Sequence, residues 1–308
     1  MRVLISRLSS MGDVVCTLPA ACALKDAGVA TEIVWVCDRR FADLPRHCDA
    51  VDEVVEWTKA EARDRRRWHD LGPFDVALDL QGLLKSALVV GAANAKRRYG
   101  YHWQREGARF FSAPVKPDPT SFHIVDQIVD VARFLGAEVD RARFGLKPSP
   151  EATDSVLAKV GHRSRPWVVV NPGAGWPSKR WRPEFVAQLC DQVVESSGTP
   201  ILIGGPDVVP VRDTVAANLR HPCVDLVGQT TIPELVALIA LADAHVGGDT
   251  GSTHIAAALG KPAVGIYTVS DPRRVCPYGR IDNVLTGQPD PAAVFAILTG
   301  LLSQVPAG

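Results

Sequence analysis

Short apolar runs rich in β-branched residues alternate with longer stretches rich in alanine and leucine along the whole chain. Seven of these runs predict buried strands, at residues 3–5, 32–36, 76–78, 167–170, 200–203, 245–246 and 263–267. The longer stretches predict helices, at residues 18–27, 83–93, 183–197, 213–219, 232–242, 253–259 and 291–302. This alternation predicts an α/β fold in which doubly wound parallel sheets carry helices on both faces.

A domain boundary is predicted where proline and serine cluster, at both ends of residues 147–166 (KPSPEATDSVLAKVGHRSRP). The apolar run WVVVNPG then begins as abruptly as MRVLIS does at the start of the chain. A length of 308 residues is enough for two ordinary domains. We therefore predict one domain over residues 1–150 and another over 165–308, with the last helix able to pack on either.

Composition excludes several classes of protein. Lys and Arg number 34, as do Asp and Glu, so a nucleic-acid binder that relies on a broad basic field is not expected. The apolar runs fall short of the ~18 residues that a transmembrane helix needs, and the first is too short for a secretory signal. We therefore expect a cytoplasmic protein. The seven cysteines show no CxxC pair, which favours reduced, mostly buried thiols over a zinc site.

The turn after the first predicted strand is the first candidate site. SSMGD at residues 9–13 lies beyond the carboxyl end of that strand, where doubly wound sheets bind ligands. Gly12 allows a tight turn, and amides at the start of a helix near Val14 suit an anionic or polar group. Asp13 is either a functional carboxylate or a helix cap, for which Asp is a preferred residue. No GxGxxG motif is present, which disfavours a dinucleotide-dependent dehydrogenase.

Two loops in the second half suit a nucleotide diphosphate. NPGAGWPSKRW at residues 171–181 combines Gly173 and Gly175 with the cations Lys179 and Arg180, although a solvated turn would look similar. It lacks the spacing of a P-loop. GGDTGSTH at residues 247–254 precedes a predicted helix, so its amides and hydroxyls lie at a helix N-terminus. Two anion-binding turns in one domain predict a nucleotide-diphosphate site there.

The first half carries a basic run and two polar strand ends. RDRRRWH at residues 63–69 is either a solvated helix face or a site for phosphate or carboxylate groups, whose planar geometry arginine matches. DLQGLLKS at residues 79–86 places Asp79, Gln81 and Lys85 near a strand end, and YHWQR at 101–105 adds aromatic surface and another arginine.

Taken together, these motifs resemble those of the lipopolysaccharide heptosyltransferases, the inverting glycosyltransferase family 9, and most closely those of heptosyltransferase I. The matches are SSMGDVVCTLPA, DLQGLLKSA, KRW, GGDTGSTHIAAALGKP and the later YG, in the family's order over nearly the whole chain. The resemblance implies a GT-B fold, with two Rossmann-like domains facing across a cleft. It also implies transfer of a heptose from ADP-heptose to the Kdo-lipid A inner core by direct displacement. No carboxylate pair or DxD-like motif indicates a catalytic metal, so we expect a reaction without a metal or another cofactor.

The resemblance also implies roles for individual residues. Asp13 is expected to be the general base. Residues expected to bind the donor are Lys179, Gly175, Asp249, Thr250, Gly251, Ser252 and His254. Residues expected to bind the acceptor are Ser10, Gly12, Arg63, Arg65, Arg66, Arg67, Gln81, Arg105 and His123.

Two departures from the family pattern affect the donor site. The loop that often carries hydroxyl residues reads GAGW at residues 173–176, so backbone amides are expected to make some phosphate contacts. An acidic residue for the ribose is not clearly placed, and Asp207 is the available candidate.

Three other functions stay open at this point: another nucleotide sugar, another acceptor such as a second core heptose, and a non-catalytic module that binds nucleotide sugars. Beyond the donor and acceptor, peripheral contact with the inner membrane is the expected partner interaction, and nucleic acid is not expected.

Overall fold

The computed structural model describes residues 1–61 and 64–304, which form two compact units. The first unit comprises Met1–Lys147 and the second begins at Pro148. Among the described residues, no helix combines the length and the apolar character that crossing a bilayer requires.

The first unit is a six-stranded sheet with helices between its strands. Its strands are β1 (Arg2–Ser6), β2 (Glu32–Asp38), β3 (Glu53–Trp57), β4 (Phe74–Asp79), β5 (Ala95–Tyr101) and β6 (Ala113–Val115). Its helices are α1 (Met11–Asp26), α2 (Asp43–Arg46), α3 (Arg65–Asp70), α4 (Leu84–Ala92) and α5 (Ile124–Phe134). The strand order is β3-β2-β1-β4-β5-β6, and every pairing is parallel.

The second unit repeats this plan. Its strands are β7 (Trp167–Asn171), β8 (Thr199–Leu202), β9 (Val224–Asp225), β10 (Ala244–Gly247), β11 (Ala263–Tyr267) and β12 (Val284–Thr286). Its helices are α6 (Pro150–Val160), α7 (Pro183–Glu195), α8 (Val209–Asn218), α9 (Ile232–Leu241), α10 (Gly251–Ala258), α11 (Pro272–Val275) and α12 (Pro291–Leu302). The order β12-β11-β10-β7-β8-β9 is again that of a Rossmann sheet.

In each sheet the strand order reverses once, between two neighbouring central strands. In the first unit this point lies between β1 and β4, where Val3 pairs with Val76 and Ser6 with Asp79. In the second it lies between β7 and β10. The central strands are continuous apolar runs because helices cover both of their faces. Ligands of such sheets bind at the carboxyl ends of the strands, beside this reversal.

The predicted α/β class with two doubly wound, Rossmann-like units is confirmed. The structure also shows where two helices pack, one in the predicted linker and one at the end of the chain. Helix α6 lies within the predicted linker and packs on α9 of the second unit. Helix α12 packs on α7, and its Val294 and Leu298 are buried in the core of the second unit. The sequence allowed this helix to pack on either unit, and it packs on the second.

Candidate active site

Asp13 lies in the turn between β1 and α1, at the point where the first sheet reverses its order. Ser10 is the N-cap of α1 and Asp13 is the third helical residue, so the helix begins earlier than the sequence predicted. The backbone N–H of Ser10 donates to Asp13 Oδ2 at 3.0 Å, and its hydroxyl donates to the same oxygen at 2.7 Å. This is a capping box, so Asp13 does stabilise the helix start.

A second contact holds the other carboxylate oxygen, and the sequence did not predict it. Nη2 of Arg7 lies 2.7 Å from Asp13 Oδ1. Arg7 is buried, and its Nη1 donates to the carbonyl of Leu80, the residue that follows β4. Asp13 is therefore held from two sides while part of its side chain stays open to solvent. The only signal in the sequence was an arginine inside an otherwise apolar run.

The loop after β4 packs directly against this turn. Gln81 accepts from the backbone N–H of Leu8 at 2.9 Å through Oε1, and its Nε2 lies 3.4 Å from Ser9 Oγ. Lys85 donates to the same Ser9 hydroxyl oxygen at 2.6 Å, and its ammonium lies 5.9 Å from the ring centroid of Trp57. Burial lowers the pKa of Lys85. Gln81 thus contacts the turn that carries Ser10, Gly12 and Asp13, and its role in acceptor binding stays a prediction.

Asp79, at the end of β4, is a support of this loop and not an exposed carboxylate. Its Oδ1 accepts from the backbone N–H groups of Gln81 at 3.1 Å and Gly82 at 2.9 Å. Burial raises the pKa of Asp79, against the opposing effect of these hydrogen bonds. It is fully buried. Asp79 therefore shapes the turn from inside.

The basic run divides into residues with different environments. Arg67 forms an ion pair with Glu61 and donates to the carbonyl of Glu56 at 3.0 Å, so it joins α3 to the end of β3. Arg65 and Arg66 are exposed, and Nε of Arg66 lies 3.6 Å from Asp70. Arg63 lies outside the described residues. Arg65 and Arg66 are therefore better placed than Arg67 to meet an anionic ligand.

Two further predicted acceptor residues lie on other elements of the first unit. The backbone N–H of Arg105 donates to the carbonyl of Gly82 at 2.8 Å, which ties the segment after β5 to the Gln81 loop. The exposed guanidinium of Arg105 stacks over Trp103 at 5.7 Å. His123 is the N-cap of α5, where Nδ1 accepts from the backbone N–H of Val125 at 3.2 Å. The imidazole of His123 is buried in this role.

In the second unit, the loop after β7 meets the loop after β10. Asn171 donates to Ser252 Oγ at 2.8 Å and accepts from the backbone N–H of Gly173 at 2.9 Å. A Cβ at Gly173 would lie 2.5 Å from a methyl of Val208, so packing alone requires this glycine. Gly175 has open space around it, and its backbone is the part of this loop that a ligand can approach closely.

Lys179 and Asp249 form the charged centre of these two loops. Nζ of Lys179 lies 2.6 Å from Asp249 Oδ2, which also accepts from the hydroxyl of Ser270 at 2.9 Å. His254 Nε2 lies 3.8 Å from Asp249 Oδ1. Burial acts to raise the pKa of Asp249, but the hydrogen bonds from His254, Lys179 and Ser270 outweigh it and keep that pKa below its ordinary value. Sequence reasoning missed Ser270, which arrives from the loop after β11.

The start of α10 rests on a buried polar network. Thr250 is the N-cap of α10, and Gly251 is its first residue. The Ser252 hydroxyl is buried within 3.0 Å of His245 Nε2 and 3.1 Å of Thr250 Oγ1. Burial lowers the pKa of His245 to about 3, so its imidazole is neutral at pH 7. Ser252 therefore supports the turn from below, and the backbone amides at the start of α10 are groups that could bind an anion.

A small cavity opens beside these groups, at the carboxyl ends of β7, β10 and β11. Its lining includes Asn171, Gly173, Lys179, Trp181, Gly247, Gly248 and Ile266. The predicted ribose residue Asp207 lies in an exposed turn after β8. The cavity thus has the ammonium of Lys179 in its lining, and the loop from β10 that lines it leads to the start of α10; an ammonium and a helix N-terminus both suit a diphosphate.

The cysteines form no part of either turn. All seven are free thiols, and six of them are buried. One cluster of potential metal ligands exists among the described residues, formed by Cys22, Cys48 and Asp49. Its carboxylate already pairs with Arg143 at 2.6 Å and with Lys147 at 3.0 Å.

Comparison with known proteins identifies the family. The sequence pattern of glycosyltransferase family 9 (heptosyltransferase) matches residues 65–297. The chain belongs to this family. It is a glycosyltransferase, as the resemblance implied, and the matched region includes DLQG and DTGSTH, whereas SSMGD precedes it.

Relatives of two kinds are similar to this family 9 enzyme. Lipopolysaccharide heptosyltransferase 1 of Salmonella typhimurium is 28% identical over 308 residues, which cover 91% of this chain and 92% of that protein. Lipopolysaccharide heptosyltransferase 2 of Escherichia coli K12 is 32% identical over 273 residues, covering 82% and 78%. The solved structure of E. coli ADP-heptose lps heptosyltransferase II has a TM-score of 0.85 at 23% identity and covers all of both chains. The predicted GT-B architecture is thereby confirmed.

Proposed function

We propose that this family 9 glycosyltransferase moves a heptose from ADP-heptose to the Kdo-lipid A inner core of lipopolysaccharide, with inversion at the anomeric carbon. The observation that carries the proposal is the position of Asp13. It is a partly exposed carboxylate at the reversal point of the first sheet, and Ser10 and Arg7 hold it from two sides. The names of the relatives support the choice of donor and of acceptor class.

Asp13 acts as the general base in this proposal. An acceptor hydroxyl is a poor nucleophile at neutral pH, and a carboxylate within hydrogen-bond reach takes its proton while the new C–O bond forms. Direct displacement needs one such base and no covalent enzyme intermediate. The oxygen of the acceptor therefore arrives on the face of the sugar opposite the leaving ADP, and the anomeric configuration inverts.

The second unit binds the donor. Negative charge grows on the diphosphate as it leaves, and groups that already point at it stabilise the transition state. Lys179 and the amides at the start of α10 supply that positive character, and His254 and Asp249 hold the turn in place. Because these groups can neutralise a diphosphate, we propose that the reaction needs no divalent metal.

The first unit binds the acceptor. Arg65 and Arg66 are the exposed cations of the basic run, and their guanidinium groups match the carboxylates of Kdo or the phosphates of lipid A. Ser10 and Gly12 lie in the same turn as the base, and Gln81 reaches that turn from the loop after β4. We place the reacting hydroxyl there.

A lipid-linked acceptor requires contact with a membrane surface, and the first unit has side chains that suit one. Its exposed aromatic side chains include Trp103, Phe110 and Phe122. Arg105 stacks over Trp103 at 5.7 Å and Arg109 over Phe110 at 5.5 Å. Aromatic rings beside cations suit the interface of an anionic bilayer. We therefore propose a cytoplasmic enzyme that touches the inner membrane peripherally.

A second acceptor is also supported by one observation. The relative at 32% identity is a heptosyltransferase 2, whereas the relative at 28% is a heptosyltransferase 1. The second candidate function is therefore transfer from the same donor to a heptose that is already present in the core.

The experiment that tests the proposal is a matrix of donors and acceptors with the purified chain. ADP-heptose, ADP-glucose and UDP-glucose are each combined with deacylated Kdo-lipid A and with the same acceptor carrying one heptose, and ADP or UDP release is followed. We expect ADP release with ADP-heptose and the first acceptor only, and an inverted linkage in the product. Release with the second acceptor alone would establish the second candidate. Binding of ADP-heptose without any transfer would identify a non-catalytic module instead.

A further inference from the structure

Arg7 is a buried cation that faces a partly exposed anion. The side chain of Arg7 is 5% exposed, whereas that of its ion-pair partner Asp13 is 40% exposed. One terminal nitrogen of the guanidinium contacts Asp13 and the other donates to the carbonyl of Leu80. Its Nε has no hydrogen-bond partner among the described residues. The ion pair with Oδ1 of Asp13 therefore compensates the charge of Arg7.

Helix capping does not explain this arrangement. Both cap contacts, from the backbone N–H and the hydroxyl of Ser10, use Oδ2 of Asp13. The contact with Arg7 uses Oδ1. An ordinary capping box joins the N-cap side chain to the backbone N–H of the third helical residue, and that residue's side chain to the N-cap backbone N–H; it needs no buried guanidinium behind the carboxylate. The Arg7 contact is therefore an addition to the cap.

Burial of Arg7 is also unfavourable for folding unless an anion accompanies it. Asp79 is the other carboxyl group whose charge interacts with Arg7, but it is fully buried and burial raises its pKa, which favours its neutral form. Asp13 is thus the carboxylate that balances Arg7. In return, the adjacent cation makes protonation of Asp13 less favourable.

We propose that Arg7 is a positioning residue for the transfer reaction, which fixes the Asp13 carboxylate in one orientation and in its ionised form. The inference rests on the proposed role of Asp13 as general base. Arg7 is too deeply buried to touch a substrate, so it acts through Asp13 alone. A base held in this way meets the acceptor hydroxyl without first having to reorient or lose a proton.

Two other charged groups at this turn, Lys85 and Asp79, also feel the charge of Arg7, which acts to lower the pKa of each. Lys85 donates to Ser9 from α4, and Asp79 lies at the end of β4. Asp38, the last residue of β2, pairs with Arg40 at 2.8 Å and lies close enough to Lys85 to affect its charge state. The double variant with Asp13→Asn therefore decides whether the effect of replacing Arg7 passes through Asp13.

The test measures kcat/KM for heptose transfer against pH with the full chain and its Arg7→Gln and Arg7→Lys variants. Removal of the cation in Arg7→Gln should move the acid limb about one to three pH units upward. Loss of orientation should lower kcat about ten- to a hundred-fold. Arg7→Lys keeps the charge without the planar fork, so its acid limb should stay in place while kcat falls. The dissociation constant for ADP should be unchanged in both.

Arg133→Gln is the matched control. Arg133 pairs with the buried carboxylate of Asp130 at 2.8 Å on α5 of the same unit, away from the turn that carries Asp13. Its replacement removes a comparable ion pair, and we expect an unchanged pH profile. A shift of the same size in this control would mean that the acid limb reports general destabilisation, which would overturn the proposal.

A double variant separates this inference from the proposed function. If Arg7 acts through Asp13, adding Arg7→Gln to Asp13→Asn should lower kcat by less than two-fold further. A full additional loss, or an Arg7→Gln profile equal to wild type, would overturn the inference. If Asp13→Asn alone retained wild-type turnover, the assignment of the base would fail instead. Should Arg7→Gln not fold, an unchanged kcat in Arg7→Lys would overturn the positioning role by itself.

Discussion

Lys179 and Asp249 form an ion pair, with 2.6 Å between Nζ and Oδ2, that joins the loops after β7 and β10. These are the two strands at which the second sheet reverses its order. The pair fixes a lysine ammonium at the edge of the cavity before any ligand arrives. In the proposed donor site, a diphosphate therefore meets a cation that needs little further ordering, which lowers the entropic cost of binding.

Replacement of Lys179 tests the donor site. Lys179→Ala should weaken ADP binding about ten-fold at low salt, since a charge-assisted contact typically contributes ~1.5–3 kcal/mol. The difference from wild type should shrink at high salt, because part of it is Coulombic. Isothermal titration calorimetry with ADP measures both effects.

Lys159→Ala is the control for that experiment. Lys159 pairs with Glu234 at 2.6 Å between α6 and α9, in the same unit but away from the cavity. It should bind ADP like wild type. Equal ADP affinity in wild type and both variants would show that ADP does not bind at the loops after β7 and β10.

The buried His245 predicts how stability depends on pH. Burial lowers the pKa of His245 from 6.5 to about 3, so below pH ~6.5 the unfolded chain takes up a proton that the folded chain does not. The unfolded state is thereby favoured, and stability falls as pH decreases from about 6.5 towards 3. His245→Asn removes this effect, so its Tm should fall less than that of wild type between pH 7.5 and 5.

Two features make the His245 comparison specific. The low pKa of Glu234, at about 2, affects stability only below its ordinary range near 4.5, outside the window measured. His162→Asn, at an exposed position, should keep the wild-type slope. Identical slopes of Tm against pH for wild type and His245→Asn would contradict the predicted neutral imidazole.

The exposed part of the basic run tests the acceptor site. Arg65→Gln with Arg66→Gln should raise the acceptor KM about ten-fold and leave the donor KM unchanged, since one well-formed charge-assisted contact is enough to be visible kinetically. Arg67→Gln should lower Tm, because Arg67 joins α3 to Glu61 and to the end of β3. The control replaces Arg97 and Arg141, two exposed arginines of the same unit. If the acceptor KM is unaffected by loss of Arg65 and Arg66, these residues do not bind the acceptor, and the basic run is only a solvated helix face.

The exposed aromatic side chains of the first unit test the membrane contact. Trp103→Ser and Phe110→Ser should each weaken binding to vesicles of phosphatidylglycerol and phosphatidylethanolamine roughly five-fold, because apolar area and adjacent cations drive interfacial binding. Phe134→Ser is the control, since Phe134 is exposed but packs edge-on against Tyr99 at 5.0 Å. Co-sedimentation with vesicles measures the difference, and equal binding of all variants would exclude these rings from the contact.

The sequence predicted the central strands and the polar turns that follow them, because both are local features. Strands β1, β4, β7 and β10 are apolar runs buried on both faces, and each ends at a polar, glycine-containing loop. Strand β5, in contrast, was not predicted. Its sequence AKRRYGY carries three cations, and Arg98 is accommodated only because it donates to carbonyls of Val90 and Ala93.

The missed parts of the site depend on contacts between distant segments. Ser270 reaches Asp249 from the loop after β11, and Arg7 reaches Leu80 from the next strand in the sheet. Neither partner can be read from spacing. His123 is assigned to the acceptor by resemblance, and the structure shows it as a buried cap of α5; its contact with an acceptor stays a prediction. Sequence motifs give the positions of the turns, whereas packing decides which side chains remain accessible.

Turnover of Asp13→Asn is the measurement that tests the central claim most directly. Asn keeps the size of the side chain and an oxygen that accepts from Ser10, but it cannot take a proton from the acceptor. With ADP-heptose and deacylated Kdo-lipid A, we predict a kcat about 10²–10⁴-fold below wild type and an unchanged dissociation constant for ADP. A kcat within a few-fold of wild type would show that Asp13 only caps α1, and would contradict its assignment as the general base.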